Sequence, residues 1–415
     1  MIRRPGAGLV ALAMLSACTV VPTPGVDRPA PPRQAPQPAP PPAAPRPAPA
    51  PAPPKPTSAA ASGVQPGPSL PGFQIRPEAA KAALLAFRAS CPGLQRRADA
   101  SGLTRAGDWT QPCAQAVAWP DGDALNFFAN QLAVVQVGDG QAFVTGYYEP
   151  EIAGSRTPAP GYDVPVYKRP PDLVEGDLGD FFPELKGKKI RGKVEGNRLV
   201  PYPDRGQIED GALKGRGLEI GWAADPVEYF FLQVQGSGRL RLPDGSVMRI
   251  GYDSQNGRDY TGIGALMRDR GMLQPGHATM QDIVAWLRAH PDEGREVMRA
   301  NKSYVFFRLL DGPPLGAMGL PVTGGVTVAS DPKFIPMGAP VFLSMDRTDA
   351  TGLWIAQDTG GAIKGANRVD TFWGAGKEAE AIAGGMSGRG TAFLFVPVGT
   401  LARLQGGGGG TTPQR

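Results

Sequence analysis

The sequence predicts a mainly β protein, a small barrel with flanking helices. Two observations support this fold class. Short runs of β-branched and aromatic residues recur between residues 141 and 396, and glycine-rich corners separate them. Apolar residues at helical spacing are confined to a few segments. This combination favours a closed barrel over an open parallel sheet.

The N-terminus has the parts of an export signal. Two arginines precede an apolar stretch, residues 9–15, which is too short to span a membrane. The next residues, Leu15-Ser16-Ala17-Cys18, resemble a bacterial lipoprotein processing site; the alternative is a soluble signal peptide followed by a cysteine by chance. We expect residues 1–17 to be removed and Cys18 to carry the acyl chains that hold the protein on a membrane.

Residues 18–71 are dominated by proline and alanine, a composition that favours extended polyproline II at roughly 3.1 Å per residue. We expect this segment to be a stiff tether behind the lipidated Cys18. Thr19 is not the aspartate associated with inner-membrane retention in enteric lipoproteins. That favours the periplasmic face of the outer membrane of a Gram-negative bacterium. At the other end, residues 405–415 are expected to form a flexible tail.

The folded part is expected to be long enough for two domains. A barrel domain is predicted from residues 72–150 together with 240–404, and an inserted small β domain, rich in glycine, proline and charge, from residues 151–239. Predicted helices are 77–90, 123–132, 260–270, 279–290, 292–301 and 377–386. Predicted strands are 142–149, 164–167, 228–235, a hairpin over 239–252, 303–310, 326–329, 340–344, 353–356, 369–372 and 391–396.

Cysteine and histidine usage limits the chemistry. Cys91 and Cys113 suit an oxidising compartment and could close one loop between two helical segments, although two buried free thiols are the alternative. His277 and His290 are the only histidines, and neither is near a cysteine or an acidic cluster. This argues against zinc chemistry and against a Ser-His-Asp triad. We expect neither a metal nor a cofactor.

Charge and motif content argue against nucleic acid and nucleotide as ligands. The formal net charge of +5 is modest and spread along the chain. No run of lysine and arginine with interleaved aromatic residues indicates a nucleic-acid surface. The phosphate-binding pattern GxxxxGK[ST] does not occur in the sequence.

The most informative stretch runs from Ile355 to Asp370. It places Asp358 and Asp370 twelve positions apart, each at a short strand-like run, and joins them by a turn rich in glycine. An acid within a mostly apolar strand is costly unless it is hydrogen-bonded or neutral. If it is held neutral, it can donate a proton near pH 7. Asp370 is therefore a candidate general acid.

Four motifs occur in the order of a known family across roughly residues 75–400. They are Val144-Thr145-Gly146-Tyr147-Tyr148-Glu149-Pro150, Phe231-Leu232-Gln233-Val234-Gln235-Gly236-Ser237-Gly238, Ser303-Tyr304-Val305-Phe306-Phe307-Arg308, and Asp358 to Asp370. With Asp331, the last two aspartates make a set of three in the C-terminal third. In these features the chain resembles the membrane-bound lytic transglycosylase A family, whose C-terminal part, about residues 325–400 of this chain, is called the 3D domain.

The resemblance implies a double-psi β-barrel with an inserted small β domain, and a groove between them for the glycan strand of peptidoglycan. It implies a peptidoglycan lytic exotransglycosylase, a glycan lyase, whose partners include cell-wall synthesis or division proteins. Asp370 matches the catalytic acid, and Asp358 lies beside it. Asp331 matches an aspartate whose role, structural or substrate-binding, stays open. The residues matched to substrate binding are Thr145, Gly146, Tyr148, Gln235, Gly236, Ser237 and Lys364.

The chemistry needs one acid. Protonated Asp370 would donate to the glycosidic oxygen between N-acetylmuramic acid (MurNAc) and N-acetylglucosamine (GlcNAc). The C6 hydroxyl of the same muramic sugar would then close on C1 as a 1,6-anhydro ring, with the Asp370 carboxylate accepting its proton. Because the nucleophile belongs to the substrate, the second carboxylate of an ordinary glycosidase is unnecessary.

Three rival functions fit parts of the same sequence. Asp358-Thr359-Gly360 fits one loop of an aspartic protease, but that enzyme needs two. A two-carboxylate polysaccharide or peptidoglycan hydrolase on the same barrel would leave reducing ends instead of anhydro ends. A non-catalytic wall-binding lipoprotein would release nothing from purified sacculi, and the presence of Asp370 argues against it.

Overall fold

The computed structural model describes residues 56–274 and 279–406. The predicted signal peptide, Cys18, most of the tether and residues 407–415 of the tail lie outside this range. Among the described residues, no helix combines the length and the apolar character that a membrane crossing requires.

The described chain contains both helices and strands, and the strands dominate. The helices are α1 (Ala59–Ser62), α2 (Pro77–Leu94), α3 (Thr110–Ala118), α4 (Ala124–Gln131), α5 (Arg205–Gln207), α6 (Pro226–Gln235), α7 (Ile263–Asp269), α8 (Met280–Ala289), α9 (Pro291–Ala300), α10 (Lys377–Gly384) and α11 (Thr400–Gly406). The strands are β1 (Val64–Pro66), β2 (Leu132–Val137), β3 (Gln141–Glu149), β4 (Glu151–Ser155), β5 (Val164–Tyr167), β6 (Val174–Asp177), β7 (Lys189–Glu195), β8 (Arg198–Pro201), β9 (Glu219–Ala223), β10 (Ser237–Arg241), β11 (Val247–Gln255), β12 (Val305–Leu310), β13 (Thr327–Ser330), β14 (Pro340–Met345), β15 (Gly352–Asp358), β16 (Arg368–Ala375) and β17 (Ser387–Pro397).

Six strands form a closed barrel in the order β3–β16–β13–β15–β14–β17, and β17 pairs back with β3 to complete the ring. The β3–β16 and β13–β15 pairs are parallel, and the other pairs of the ring are antiparallel. Closure leaves the ring without unpaired edges. The predicted mainly β fold, a barrel with flanking helices and an inserted β domain, is confirmed.

The helices α2, α3 and α4 cover one side of the barrel. Phe87 of α2 packs against Trp109 and Phe127, and all three side chains are almost fully buried. A polar contact then fixes α2 to the barrel, because the Gln357 amide of β15 donates to the Ala86 carbonyl at 3.1 Å. Barrel and helices therefore share one hydrophobic core.

A second sheet has six strands in the order β12–β11–β10–β4–β9–β5, and a separate three-stranded sheet has the order β6–β7–β8. β10 pairs with β4, β11 pairs with β10 and β12 pairs with β11, so this sheet continues to Leu310. The boundary predicted at residue 239 therefore falls inside β10. The two-residue period of these later strands could not reveal which sheet they join.

Residues 56–71 correct the predicted extent of the tether. Ala59 is fully buried, and its N–H donates to the Lys333 carbonyl at 2.9 Å. β1 then pairs with β2 in the antiparallel direction. The Pro/Ala composition hid this short strand, so the folded part begins before the predicted residue 72. At the other end, α11 includes the first two residues of the predicted tail.

The segment 228–235, predicted as a strand, lies in helix α6. The Asp225 carboxylate caps this helix by accepting from the N–H groups of Val227 and Glu228, and Pro226 takes its first position. Gly236 ends the helix with a left-handed φ of 79°. The abundance of aromatic and β-branched residues suggested a strand, whereas the caps decide for a helix.

A disulfide joins Cys91 of α2 to Cys113 of α3, closing a separation of 22 residues. We expect the double replacement Cys91→Ser/Cys113→Ser to lower the free energy of unfolding by about 3 kcal/mol, because the unfolded chain regains its loop entropy. Urea denaturation of both proteins measures the difference. Reduced wild type serves as the control and should match the variant; equal stability of the oxidised wild type and the variant would contradict this expectation.

Candidate active site

Three neighbouring barrel strands hold two aspartates at the same level of the barrel, with one strand between them. Ala329 of β13 pairs with Asp370 of β16 on one side and with Asp358 of β15 on the other. A bulge shifts the register after Val328, so that Asp358 instead of Gln357 lies opposite Ala329. Two strand spacings separate the acids, so their α-carbons are roughly 10 Å apart.

Asp370 is the less constrained of the two acids. Its Oδ1 accepts a hydrogen bond of 2.6 Å from the Thr145 hydroxyl, whereas Oδ2 has no hydrogen-bond partner within the described residues. Burial raises the pKa of Asp370 to about 6, and nearby Asp358 adds to this; the Thr145 hydrogen bond and Arg368 act in the opposite direction. Asp370 can therefore hold and release a proton near neutral pH.

Asp358 is held by three donors. Its Oδ2 accepts from the Tyr147 hydroxyl at 2.9 Å, and its Oδ1 accepts from the N–H groups of Ala317 and Thr359 at 2.9 and 2.8 Å. Burial raises the pKa of Asp358, and these three hydrogen bonds lower it. Because both of its oxygens are occupied, Asp358 suits a fixed supporting role better than proton transfer.

Arg368 lies on the same strand as Asp370, two residues earlier. Its Nη2 donates to the Thr145 hydroxyl oxygen at 2.9 Å, and its guanidinium carbon lies 4.9 Å from the centre of the Phe143 ring. Since Thr145 accepts from Arg368, its single hydroxyl hydrogen is directed at Asp370. The chain of contacts from Arg368 through Thr145 to Asp370 therefore leaves Oδ2 as the oxygen that can carry the acid proton.

Both acids line a groove of about 930 Å³. The barrel contributes the two aspartates, Thr145, Tyr147 and the loop 359–363. The wall across from them comes from the end of α6, from β11 and β12, and from the loop after β11. The residues of this opposite wall are Arg205, Gln233, Val234, Gln235, Gly236, Ser237, Tyr252, Asp253, Gln255, Gly257, Arg258, Asp259, Tyr260, Asn301, Ser303, Val305 and Arg308.

The predicted residues Gln235, Gly236 and Ser237 line this groove together with Thr145. They sit where α6 ends and β10 begins, so the helix C-terminus presents them to the barrel. The Gln235 side chain also accepts from the Tyr148 N–H at 3.1 Å, which ties the two walls together.

Gly146 and Tyr148 lie on the other face of β3. A Cβ at Gly146 would come within 2.9 Å of the Ala383 α-carbon, so the glycine allows α10 to pack closely. Tyr148 is 5% exposed and packs against Ala379 and Ala383. Neither side chain lines the groove, which corrects both predictions. Side chains alternate along a strand, so Thr145 and Tyr147 share the groove face instead.

Two other predicted positions also lie away from the groove lining. Lys364 is exposed, beyond the loop residues that face the groove. Asp331 is buried and accepts from the N–H groups of Lys333 and Gly365 at 3.1 and 3.0 Å. Asp331 therefore secures the turn that carries Lys364, and its role in this structure is structural.

A buried arginine supports the wall across from the acids. Arg205 is 3% exposed, and its guanidinium donates to the Gln233 side chain at 2.6 Å and to the carbonyls of Asn301 and Ser303 at 3.0 and 2.7 Å. Its guanidinium carbon also lies 4.7 Å from the centre of the Phe230 ring. Arg205 thus connects α6 to the loop before β12.

Comparisons with known proteins place this chain. A "Membrane-bound lytic murein transglycosylase A" from Vibrio cholerae is 30% identical over 278 residues, which are 64% of this chain and 68% of the relative. The model described as "MltA specific insert domain" matches residues 143–308, and the model described as "3D domain" matches residues 326–396. The chain belongs to the membrane-bound lytic murein transglycosylase A (MltA) family.

Solved structures of MltA proteins share the fold. The structure of MltA from Neisseria gonorrhoeae is 37% identical with a TM-score of 0.65, covering 81% of this chain and 92% of its own. Escherichia coli MltA with bound chitohexaose is 26% identical with a TM-score of 0.59, covering 78% and 91%. Both MltA structures match most of the described fold.

Sequence reasoning missed Arg368 and Arg205 as parts of this MltA site, and it preferred Tyr148 to Tyr147. Arg368 lies two residues before Asp370 and Tyr147 two residues after Thr145, so the strand period was a usable signal for both. Arg205 had no such signal, because its hydrogen-bond partners are 28 to 98 positions away in the sequence. Within the described residues, no group of three or more His, Cys, Asp or Glu side chains is arranged to hold a metal ion.

Proposed function

We propose that this protein is a lytic transglycosylase that cleaves the β-1,4 bond between MurNAc and GlcNAc in peptidoglycan and leaves a 1,6-anhydro-MurNAc end. One observation carries the proposal. Asp370 lines a groove with an unoccupied Oδ2 and a pKa of about 6, whereas the neighbouring Asp358 is occupied by three donors. The site thus offers one carboxyl group for proton transfer.

In the first step, Oδ2 of Asp370 gives its proton to the glycosidic oxygen, and the bond from that oxygen to C1 of the muramic sugar breaks. Thr145 keeps Oδ1 in a fixed hydrogen bond during this transfer. GlcNAc leaves as the alcohol, and positive charge of oxocarbenium character develops at C1. General acid catalysis of this kind contributes a factor of about 10² to 10⁴.

In the second step, the C6 hydroxyl of the muramic sugar attacks its own C1 while the Asp370 carboxylate accepts the hydroxyl proton. The acid returns to its starting form, and water does not enter the balance. Asp358 accepts hydrogen bonds from the hydroxyl of Tyr147 and the backbone N–H of Ala317, so it supports the lining of the groove near Asp370. A hydrolase would need a carboxylate available to activate water, and the three donors on Asp358 argue against that role.

The test is product analysis. Purified sacculi incubated with the protein should release muropeptides that carry a 1,6-anhydro end, which mass spectrometry identifies because they are lighter by one water than the reducing-end products. Reducing ends alone would favour the hydrolase, and no release would favour a wall-binding lipoprotein. Action from strand ends, the exo mode, stays a prediction that the product lengths would test.

Location follows from the same proposal. The relatives are named membrane-bound, and a lipidated Cys18 on the periplasmic face of the outer membrane would place the groove near its polymer. The roughly forty residues between Cys18 and the buried Ala59 would give the enzyme reach into the wall. Labelling with a radioactive fatty acid, lost in Cys18→Ser, tests the anchor. Contacts with cell-wall synthesis or division proteins stay a prediction.

The pH dependence should report Asp370. The protonated form is the active one, so activity should fall as the pH rises through about 6. Arg368 lowers the pKa of Asp370 by its charge, so Arg368→Met should raise it and move the alkaline limb of the kcat/KM profile upward by roughly one pH unit. A pH titration of anhydro-product formation measures this shift.

Arg389 supplies a matched control for this prediction. Like Arg368, it contacts the Phe143 ring, with its guanidinium carbon 5.2 Å from the ring centre. It is not among the groups that shift the pKa of Asp370. Arg389→Met should leave the alkaline limb in place. Equal shifts in the two variants, or none in Arg368→Met, would contradict the role of Arg368.

A further inference from the structure

We propose that a basic cleft beside the groove binds the acidic peptide that substitutes the lactyl group of MurNAc. This inference rests on the proposed function, because it names a second part of the same substrate. The cleft has a volume of about 290 Å³ and lies between the end of α2, the turn before α3 and two barrel loops. Its lining includes Arg97, Asp99, Arg105, Trp109, Ala317 and Met337.

The basic cleft adjoins the groove. Ala317 and Thr359 line both, and the N–H groups of these two residues donate to the Asp358 carboxylate. On the other side of the same residue, the Ala317 carbonyl accepts from Arg97 Nη2 at 3.3 Å. A single residue therefore separates Arg97 from the acid pair. A branch of a substrate bound in the groove could enter the cleft here.

The charge of the basic cleft is positive. Arg97 and Arg105 are exposed, and neither forms an ion pair within the described residues. Asp99 is the one acid of the lining, and its carboxylate is occupied by donors from Ser101 and Thr104 at 2.8 to 2.9 Å. The two guanidinium groups thus remain available for carboxylates of a ligand.

Asp108, which neighbours this lining, is neutralised by an ion pair with Arg403 of α11 at 2.8 Å. The donors on Asp99 are uncharged and do not cancel its charge, so the two arginines of the lining exceed its one acid by a single positive charge. The positive charge that remains complements a peptide with several carboxylates, such as the stem that branches from each MurNAc.

The apolar part of the lining favours a peptide over a further sugar. Met337 is partly exposed and, beside the largely buried Leu94 and Pro336, gives the lining an aliphatic side that suits small side chains such as that of alanine. Trp109, the aromatic residue of the lining, is 1% exposed and donates its ring N–H to Thr104 at 3.1 Å. It cannot present a face to a sugar ring. The small volume suits a short peptide segment rather than a polymer.

The test compares two glycan substrates of equal length, one with stem peptides and one from which an amidase has removed them. The quantity measured is the ratio of kcat/KM for the peptide-bearing strand to kcat/KM for the bare strand, with anhydro product as the readout. In the full-length mature protein, Arg97→Gln/Arg105→Gln should lower this ratio about five- to tenfold, because two charge contacts are lost.

Arg96 gives the matched control. It is an exposed arginine next to Arg97 and is not part of the cleft lining, so Arg96→Gln should leave the ratio at the wild-type value. A ratio within twofold of wild type in the double variant would overturn the inference. Equal kcat/KM values for the peptide-bearing and the bare strand in the wild-type protein would also overturn it.

A binding measurement separates this inference from the proposed function. Isothermal titration with a soluble N-acetylmuramyl tetrapeptide reads the basic cleft without catalysis. Weaker binding in Arg97→Gln/Arg105→Gln, with wild-type binding in Arg96→Gln, supports the inference even if no anhydro product forms. Equal binding in all three proteins overturns it, while anhydro product from the wild type would leave the proposed function intact.

Discussion

Replacement of Asp370 by asparagine is expected to reduce the formation of anhydro products by at least about a thousandfold. The amide has the shape of the carboxyl group and can still accept from Thr145, but it carries no acid proton for the leaving oxygen. The fold should be retained, since Asp370 makes one hydrogen bond among the described residues. Mass spectrometry of digested sacculi measures the loss.

Two further measurements make this result specific. Asp139→Asn changes an exposed acid in the turn between β2 and β3 and should keep wild-type activity. Binding of purified peptidoglycan glycan strands by Asp370→Asn should stay within a few-fold of wild type, because the groove is unchanged. Wild-type product formation by Asp370→Asn would remove the mechanism, and loss of both binding and folding would mean that Asp370 is structural.

Replacement of Arg205 by methionine is expected to lower the free energy of unfolding by about 3 kcal/mol. Methionine fills much of the same space, but it leaves the Gln233 side chain and the carbonyls of Asn301 and Ser303 without their buried donor. Urea denaturation measures the change. Because these groups form one wall of the groove, KM for glycan should rise in the same variant.

Arg288 provides the contrast for this prediction. Its side chain is 49% exposed and pairs with Asp225 and Glu228 on the surface of α6. Exposed pairs contribute little, so Arg288→Met should cost less than about 1 kcal/mol. Similar losses in the two variants would show that burial of Arg205 does not matter in the way its contacts indicate.

The acid itself could be predicted from the sequence because its signal is local. Asp370 interrupts an apolar strand, and such an acid needs either partners or a raised pKa. The barrel was predictable for a similar reason, since each short strand and glycine corner is a local pattern. Membership of the groove is not local. Thr145 and Asp370 are 225 positions apart, and their contact depends on which strands become neighbours.

The errors have the same origin. Tyr147 and Tyr148 are adjacent residues of the same type, so the sequence does not tell which of them faces the groove. In the structure one face of β3 carries Tyr147 into the groove, and the other face packs Tyr148 against α10. The segment 228–235 has the residues of a strand and the caps of a helix, and packing against α7 to α9 favours the helix. In the first case the deciding information is tertiary, and in the second the caps and the packing together override the strand propensity.

The closure of the barrel has a consequence for how the protein matures. β3 is synthesised early, yet its two neighbours in the ring, β16 and β17, are near the end of the folded chain. Pairing across such long sequence separations is slow, and it cannot begin before β16 has been added to the chain. The acid and its threonine therefore meet only after most of the protein has been made, and a molecule that ends before β16 has no acid with which to cleave the wall.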